Sequence, residues 1–153
     1  MPLSVRQATL DDAGQIGALA GVLGYVVEVS QVRSRLAQLL ERTDDLVLVG
    51  AEPGSGELAG WLHGAIRTLL ISPVTCELEA LVVRGSQRRR GVGRELVASL
   101  ESWALARGAA TLTVRSNIVR TESHAFYPGL GYALIKTQHV YRKALTPTSA
   151  LPA

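Results

Sequence analysis

The residues best equipped for chemistry lie in Gln87–Leu96, QRRRGVGREL. Arg88, Arg89 and Arg90 run into Gly91, Val92 and Gly93, and a helix-like pattern follows at once. With Arg84 and Arg94, five arginines fall within eleven residues, although the formal net charge is only +3. The positive potential is therefore local, which points to an anionic ligand at one place more than to a broad nucleic-acid face. A helix start leaves backbone N–H groups unpaired and carries partial positive charge. Glycines without Cβ atoms let a bulky anion approach that main chain. Guanidinium groups add charge and forked donors. The pattern suits an oligophosphate. Neither common nucleotide fingerprint fits: the dinucleotide motif needs a third glycine where Leu96 stands, and the phosphate-loop motif needs Gly-Lys-Ser/Thr. Taken alone, the run reads equally as a basic loop on a solvated helix start.

Hydrophobic periodicity supplies the elements that must position this turn. LSVRQAT alternates as a first strand, and Asp11 or Asp12 can cap a helix through about Leu23. Ser30 can cap a second helix over 31–42, with Val32, Leu36, Leu39 and Leu40 on one side. A buried strand, 45–52, turns at PGSG into a partner, 57–70, bent near Gly60 or Gly64. A strand over 75–83 leads into the arginines. From Val92 to Arg107 the residues Val92, Leu96, Leu100 and Trp103 recur at helical spacing, and Gly108 sits where a C-cap belongs. A strand over 110–117 and a short helix over 119–127 follow, the helix stopped by Pro128 and Gly129. YALIKT and HVYRKAL read as the last two strands.

This order predicts one α/β (α+β) domain over 1–145. Its sheet is mixed and mostly antiparallel, with about seven strands and about four flanking helices. Hairpins join most strands, while the strand–helix–strand segments between 75 and 129 force at least one parallel pair. Residues 146–153 read as a disordered tail.

Composition narrows the class. With 153 residues, 47% apolar and 19% charged, the chain is an ordinary soluble globular one, long enough for a real core. It shows no apolar run of membrane-spanning length and no signal-peptide layout, so a cytoplasmic location and no membrane partner are expected. The single cysteine, Cys76, excludes a disulfide framework within one chain and reads as buried apolar filler. His63, His124 and His139 lack the spacing of a helical metal pair, so no metal is expected. Aromatic residues are only 5%, which gives few stacking platforms for nucleic acid.

Residues 88–93 also match the Arg/Gln-x-x-Gly-x-Gly/Ala signature of the GNAT superfamily of acetyltransferases, and other blocks agree. ELEALVV resembles the family's fourth strand. SNIVRTESHAFYPGLGY, 116–132, resembles its Asn…Ala-Phe-Tyr…Gly-Phe/Tyr block, and VRQATLDDAGQI its opening. The likeness spans roughly residues 3–145 and identifies the chain as a GNAT-like domain. It implies acetyl-CoA as co-substrate. The pyrophosphate would lie on the amides of Arg88, Arg89, Arg90, Gly91, Val92, Gly93 and Arg94. The pantetheine would pair with Leu81, Val82 and Val83 like an added strand, where the fourth and fifth strands splay. A neutral amine then attacks the thioester directly and a thiolate leaves.

The resemblance also assigns roles. Glu79 lies beside the expected thioester, at a position where many relatives carry an acid, and is the first choice for base. Glu77 points to the same sheet face; either can be the base, or one can bind the acceptor amine. Tyr127 matches the tyrosine that protonates the leaving sulfur, although Pro128-Gly129 departs from the helix continuation usual in relatives. Asn117 matches a pantetheine contact and can equally cap the following helix. Arg120 can reach the 3′-phosphate of CoA or be a solvated arginine. His63, Trp61 and Tyr25 fall in segments that line the acceptor cleft, and each is more often core. His124 can share a face with Tyr127.

The expected function is acetyl-CoA-dependent N-acetylation of a primary amine of a small molecule or peptide. The alternative is a non-catalytic acyl-CoA-binding sensor or interaction module of the same fold. The acceptor is open, because LGYVVEVS carries only Glu28 and AIRTLLIS only Arg67 as charge. An apolar mouth suits a small amine, an aminoglycoside, an amino acid or a protein terminus. LGYALI offers a homodimer interface of the kind common in the superfamily.

Overall fold

A computed structural model describes residues 3–87 and 90–146. It falls into two compact units, one ending at Arg115 and the other beginning at Ser116. Among the described residues there are five β-strands and four α-helices.

The first unit is built on one sheet in the order β1 (Ser4–Gln7), β2 (Asp45–Ala51), β3 (Leu58–Arg67), β4 (Thr75–Val83) and β5 (Thr111–Val114). The first four pair antiparallel, and β4–β5 is parallel. This is the expected mixed, mostly antiparallel sheet. Two 3-10 turns bracket α1 (Ala13–Ala20), the second running Gly21–Leu23; α2 is Val29–Leu40 and α3 is Val92–Ala106. Ser30 lies inside α2, with Glu28 at the N-cap, so the predicted serine cap does not form.

The entry to α1 is fixed by charge. Asp12 Oδ2 accepts from the Thr9 N–H at 2.8 Å, and the Arg6 guanidinium grips both carboxylate oxygens at 2.8 and 3.0 Å. The bidentate ion pair ties β1 to the helix start.

Each sheet face buries one helical layer. Ile16, Leu19 and Leu36 of α1 and α2 pack on Val47, Val49, Ala51, Leu58 and Val82. On the other face α3 contributes the fully buried Leu96, Val97 and Leu100. Close approach here depends on glycine. A Cβ on Gly64 would lie 2.4 Å from Leu100 Cδ1, and one on Gly60 would lie 2.5 Å from the Val82 carbonyl oxygen.

The second unit holds α4 (Thr121–Gly129). Pro128 lies inside this helix, so the helix runs past the residue expected to stop it. Proline removes one N–H and crowds the carbonyl four residues earlier, which the last turn tolerates. The predicted strands in 132–137 and 139–145 are not present, and the strand count is five where about seven were expected. A strand needs a ladder partner, and within this unit none pairs with them. Leu134, Ile135, Val140 and Tyr141 stay exposed. The expected tail from 147 onward lies outside the described residues.

Candidate active site

Two ladders come apart at the same place on β4. The β4–β5 pairing runs only from Thr75–Thr111 to Leu78–Val114. Beyond Leu78, residues 80–83 keep β3 on one side and have no β5 partner on the other. On the β3 side, His63 pairs with Ala80 and Gly64 with Leu78, so Glu79 is the extra residue of a bulge. Bulges re-aim side chains and end pairing. The result is a free stretch of β4 main chain at Leu81, Val82 and Val83, with a carboxylate at its mouth.

The α3 start lies at the end of the same strand. Gly91 occupies the N-cap with φ 82°, a left-handed conformation that glycine adopts freely, and no side chain among the described residues caps the helix. The first-turn amides are thus left for another acceptor. Val92 and Gly93 are buried and Arg94 is exposed. The Arg90 guanidinium donates to Gln87 Oε1 at 3.1 Å. Arg84 is committed elsewhere: its Nε donates to the Leu58 carbonyl at 2.9 Å, and it pairs with Glu57. Arg88 and Arg89 lie outside the described residues.

The face of the sheet turned away from α3 carries charge. Position 64 faces α3, so His63 and Ala65 face the other way. Cross-strand register places Asp45 and Glu77 opposite Ala65, and Thr75 opposite Arg67, so these share that face. Each of its carboxylates holds a guanidinium. Asp45 pairs with Arg42 at 2.7 Å, Glu79 with Arg67 at 2.6 Å, and Glu77 with Arg115. The Asp45 and Glu77 side chains are only 7% and 11% exposed, against 31% for Glu79. Arg67 holds its proton more tightly than usual because of Glu79 first, and then Glu77 and Asp45. His63 Nε2 lies 2.8 Å from Asp45 Oδ1.

The ladder sets the face of Glu77 but skips Glu79, and the ion pair with Arg67 is what ties Glu79 to the same charged face. The apolar acceptor mouth read from 65–72 needs correction. The loop Leu69–Ile71 is apolar and exposed, but the sheet beneath its base is ionic. Asp45, Arg42 and Arg115 were missed because they lie in other segments of the chain. The tight PGSG hairpin was the available signal, since a hairpin sets cross-strand register.

In the second unit, Tyr127 packs edge-on against Phe126 and Tyr132, with centroids 4.9 and 6.0 Å away. Burial pushes its phenol up from the ordinary tyrosine value. Asn117 Oδ1 accepts from the Val119 N–H at 3.1 Å, and Arg120 takes the N-cap position of α4. Asn117 thus holds the turn before the helix instead of capping the helix itself. On β4, Cys76 is buried and its thiol is pushed up to about 11, mainly by that burial.

A free strand edge beside an uncapped helix start can take an extended amide-bearing ligand that ends in an anion. The profile of the acetyltransferase (GNAT) family matches residues 19–132. The chain belongs to that family and is an N-acetyltransferase. It is 26% identical over 151 residues to aminoglycoside N(6')-acetyltransferase type 1 of Stenotrophomonas maltophilia, covering 95% of this chain and 96% of that one. Among solved structures, aminoglycoside N-acetyltransferase AAC(6')-Iy in complex with the bisubstrate analogue CoA-S-monomethyl-acetylneamine has a TM-score of 0.83. Identity to it is 20%, over 94% of this chain and 99% of that one. Glucosamine-6-phosphate N-acetyltransferase from Arabidopsis thaliana gives 0.81 at 19% identity, over 93% and 99%. At such identities the solved structures establish the fold. No helix among the described residues is long and apolar enough to cross a membrane.

Proposed function

We propose that this chain moves an acetyl group from acetyl-CoA directly to a primary amine of a small polycationic acceptor of the aminoglycoside kind. The observation that carries the reading is the parting of β4 from β5 immediately before Glu79.

The residues fit the co-substrate. The uncapped amides around Gly91, Val92, Gly93 and Arg94 donate to its diphosphate, with Arg88, Arg89 and Arg90 supplying charge. Leu81, Val82 and Val83 offer their free edge to the pantetheine amides. Arg120 is assigned the 3′-phosphate and Asn117 the pantetheine.

The acceptor nitrogen enters over the ionic face, where Glu79, the most exposed of its three carboxylates, meets a cationic group of the aminoglycoside. A free amine is mostly protonated at neutral pH, since lysine-like amines titrate near ~10.4. Glu79 takes the first proton from it. The neutral nitrogen attacks the thioester carbon and forms the C–N bond. The C–S bond then breaks, the leaving sulfur takes the Tyr127 phenolic proton, and the second proton of the attacking nitrogen passes through water to the phenolate and restores the phenol. The products are the N-acetyl amine and free CoA. Burial suits Tyr127 to this part, because it keeps the phenol protonated at working pH.

A panel of aminoglycosides, aliphatic mono- and polyamines, amino acids and short peptides, followed by release of free CoA, tests the proposal. Aminoglycosides are expected to turn over fastest. Turnover confined to amino acids or peptides overturns the acceptor class, and CoA release with no amine overturns the transfer itself.

A further inference from the structure

We infer that Asp45 and His63 form the proton-accepting device of the acceptor face. His63 receives the proton that leaves the acceptor amine, by way of Glu79, and Asp45 holds the imidazole in place. The inference rests on the acetyl-transfer reading above.

Glu79 passes the proton on, because its Oε1 already accepts from Arg67 at 2.6 Å. General base catalysis is most effective when the acceptor titrates near the working pH. The groups facing this region are Asp45 of β2, Arg67 of β3, Glu77 and Glu79 of β4, Arg42 beyond α2 and Arg115 beyond β5. All are carboxylates or guanidiniums. Cys76 alternates with Glu77 and so faces α3. His63 is the imidazole among them.

Its placement suits the task. His63 stands across the ladder from Ala80, the residue after Glu79, and thus one strand spacing, ~4.8 Å, from the free edge of β4. Asp45 is nearly buried and is also gripped by Arg42, so its carboxylate is fixed. It accepts at Nε2, which puts the hydrogen of the neutral ring on Nε2 and the lone pair on Nδ1. Nδ1 has no hydrogen-bond partner among the described residues, and the side chain is 22% exposed. The proton passes from the amine to Glu79 and then to Nδ1. The imidazolium that forms is paired with Asp45, and the proton leaves to water after the acetylated amine departs. No other bond changes.

The test is the pH dependence of kcat and kcat/KM between pH 5 and 9, using the fastest acceptor of the panel. In the wild-type protein the rate should rise through the window of about pH 5–8 in which an imidazole changes charge. The acceptor's own titration is common to all variants and cancels in the comparison. His63→Gln should remove that limb and lower kcat by about 100-fold or more, with acetyl-CoA affinity by calorimetry within about twofold of wild type. Asp45→Asn, a positioning change, should lower kcat with KM unchanged and displace the limb, which a purely structural role would leave in place. A flat wild-type profile in that window overturns the assignment without recourse to any variant. So does a folded His63→Gln protein that keeps both rate and limb. Absence of CoA release with every amine overturns the transfer reading itself, whereas release with a flat profile overturns only the role of His63.

Discussion

Leu78 and Val114 form the last pair of the β4–β5 ladder, and the next residue of β4, Glu79, is the one the β3 ladder skips. A strand end and a bulge thus fall on consecutive residues. The first leaves main-chain groups of β4 without a β5 partner, and the second re-aims the Glu79 side chain.

The start of α3 carries the most direct binding prediction. At position 91 a Cβ would meet nothing within 4 Å, but φ is +82°. Gly91→Glu puts a carboxylate where the diphosphate should sit. A charge at a helix N-terminus is worth up to ~2 kcal/mol, here in opposition to the ligand. Affinity for CoA should fall by about tenfold or more, measured by calorimetry. Gly91→Ala, which adds backbone strain without charge, should bind more tightly than the glutamate variant. Unchanged affinity of Gly91→Glu would refute this placement of the coenzyme.

Gly60 lets β3 and β4 approach. Its Cβ would lie 2.5 Å from a main-chain oxygen of Val82 and 3.3 Å from Val83 Cα. Backbone cannot yield as a side-chain tip can, so Gly60→Ala should cost about 1–3 kcal/mol, as overpacked cores do. Urea unfolding measures it. Because Gly60 pairs with Val83, CoA affinity should fall as well.

The Arg6–Asp12 pair predicts acid sensitivity. The Arg6 hydrogen bonds, helped by the Thr9 N–H, hold the Asp12 carboxyl below its ordinary value. Asp12 binds its proton less readily folded than unfolded. Its contribution is therefore present above the unfolded carboxyl range and lost as pH falls through the depressed folded value. Asp12→Asn should cost about 1.5–3 kcal/mol at pH 7 and reduce the slope of stability against pH below 4. A variant whose acid limb matches wild type would assign that limb to other carboxylates.

Tyr127→Phe removes the phenolic proton and keeps the ring contacts with Phe126 and Tyr132. Turnover should fall by about 100-fold, in the range for loss of a general acid, with CoA affinity little changed. Equal turnover would make Tyr127 a packing residue.

The local pattern 87–96 sufficed to place the start of α3 behind a glycine turn, because glycine and the helical period act within a few residues. Strand 75–83 and the helical spacing of α3 were legible for the same reason: periodicity is written in neighbours along the chain. Arg84 looked like part of the arginine cluster, yet it serves Leu58 and Glu57. The segments 132–137 and 139–145 alternate as strands and have no partner within their unit.

The sequence by itself determined the family and the elements up to α4, since each rests on patterns a few residues long. Only the tertiary structure decided which carboxylate each arginine holds, where β5 leaves β4, and that Asp45 meets His63. Those facts depend on cross-strand register, and register is set by packing and bulges between segments that lie far apart in the chain.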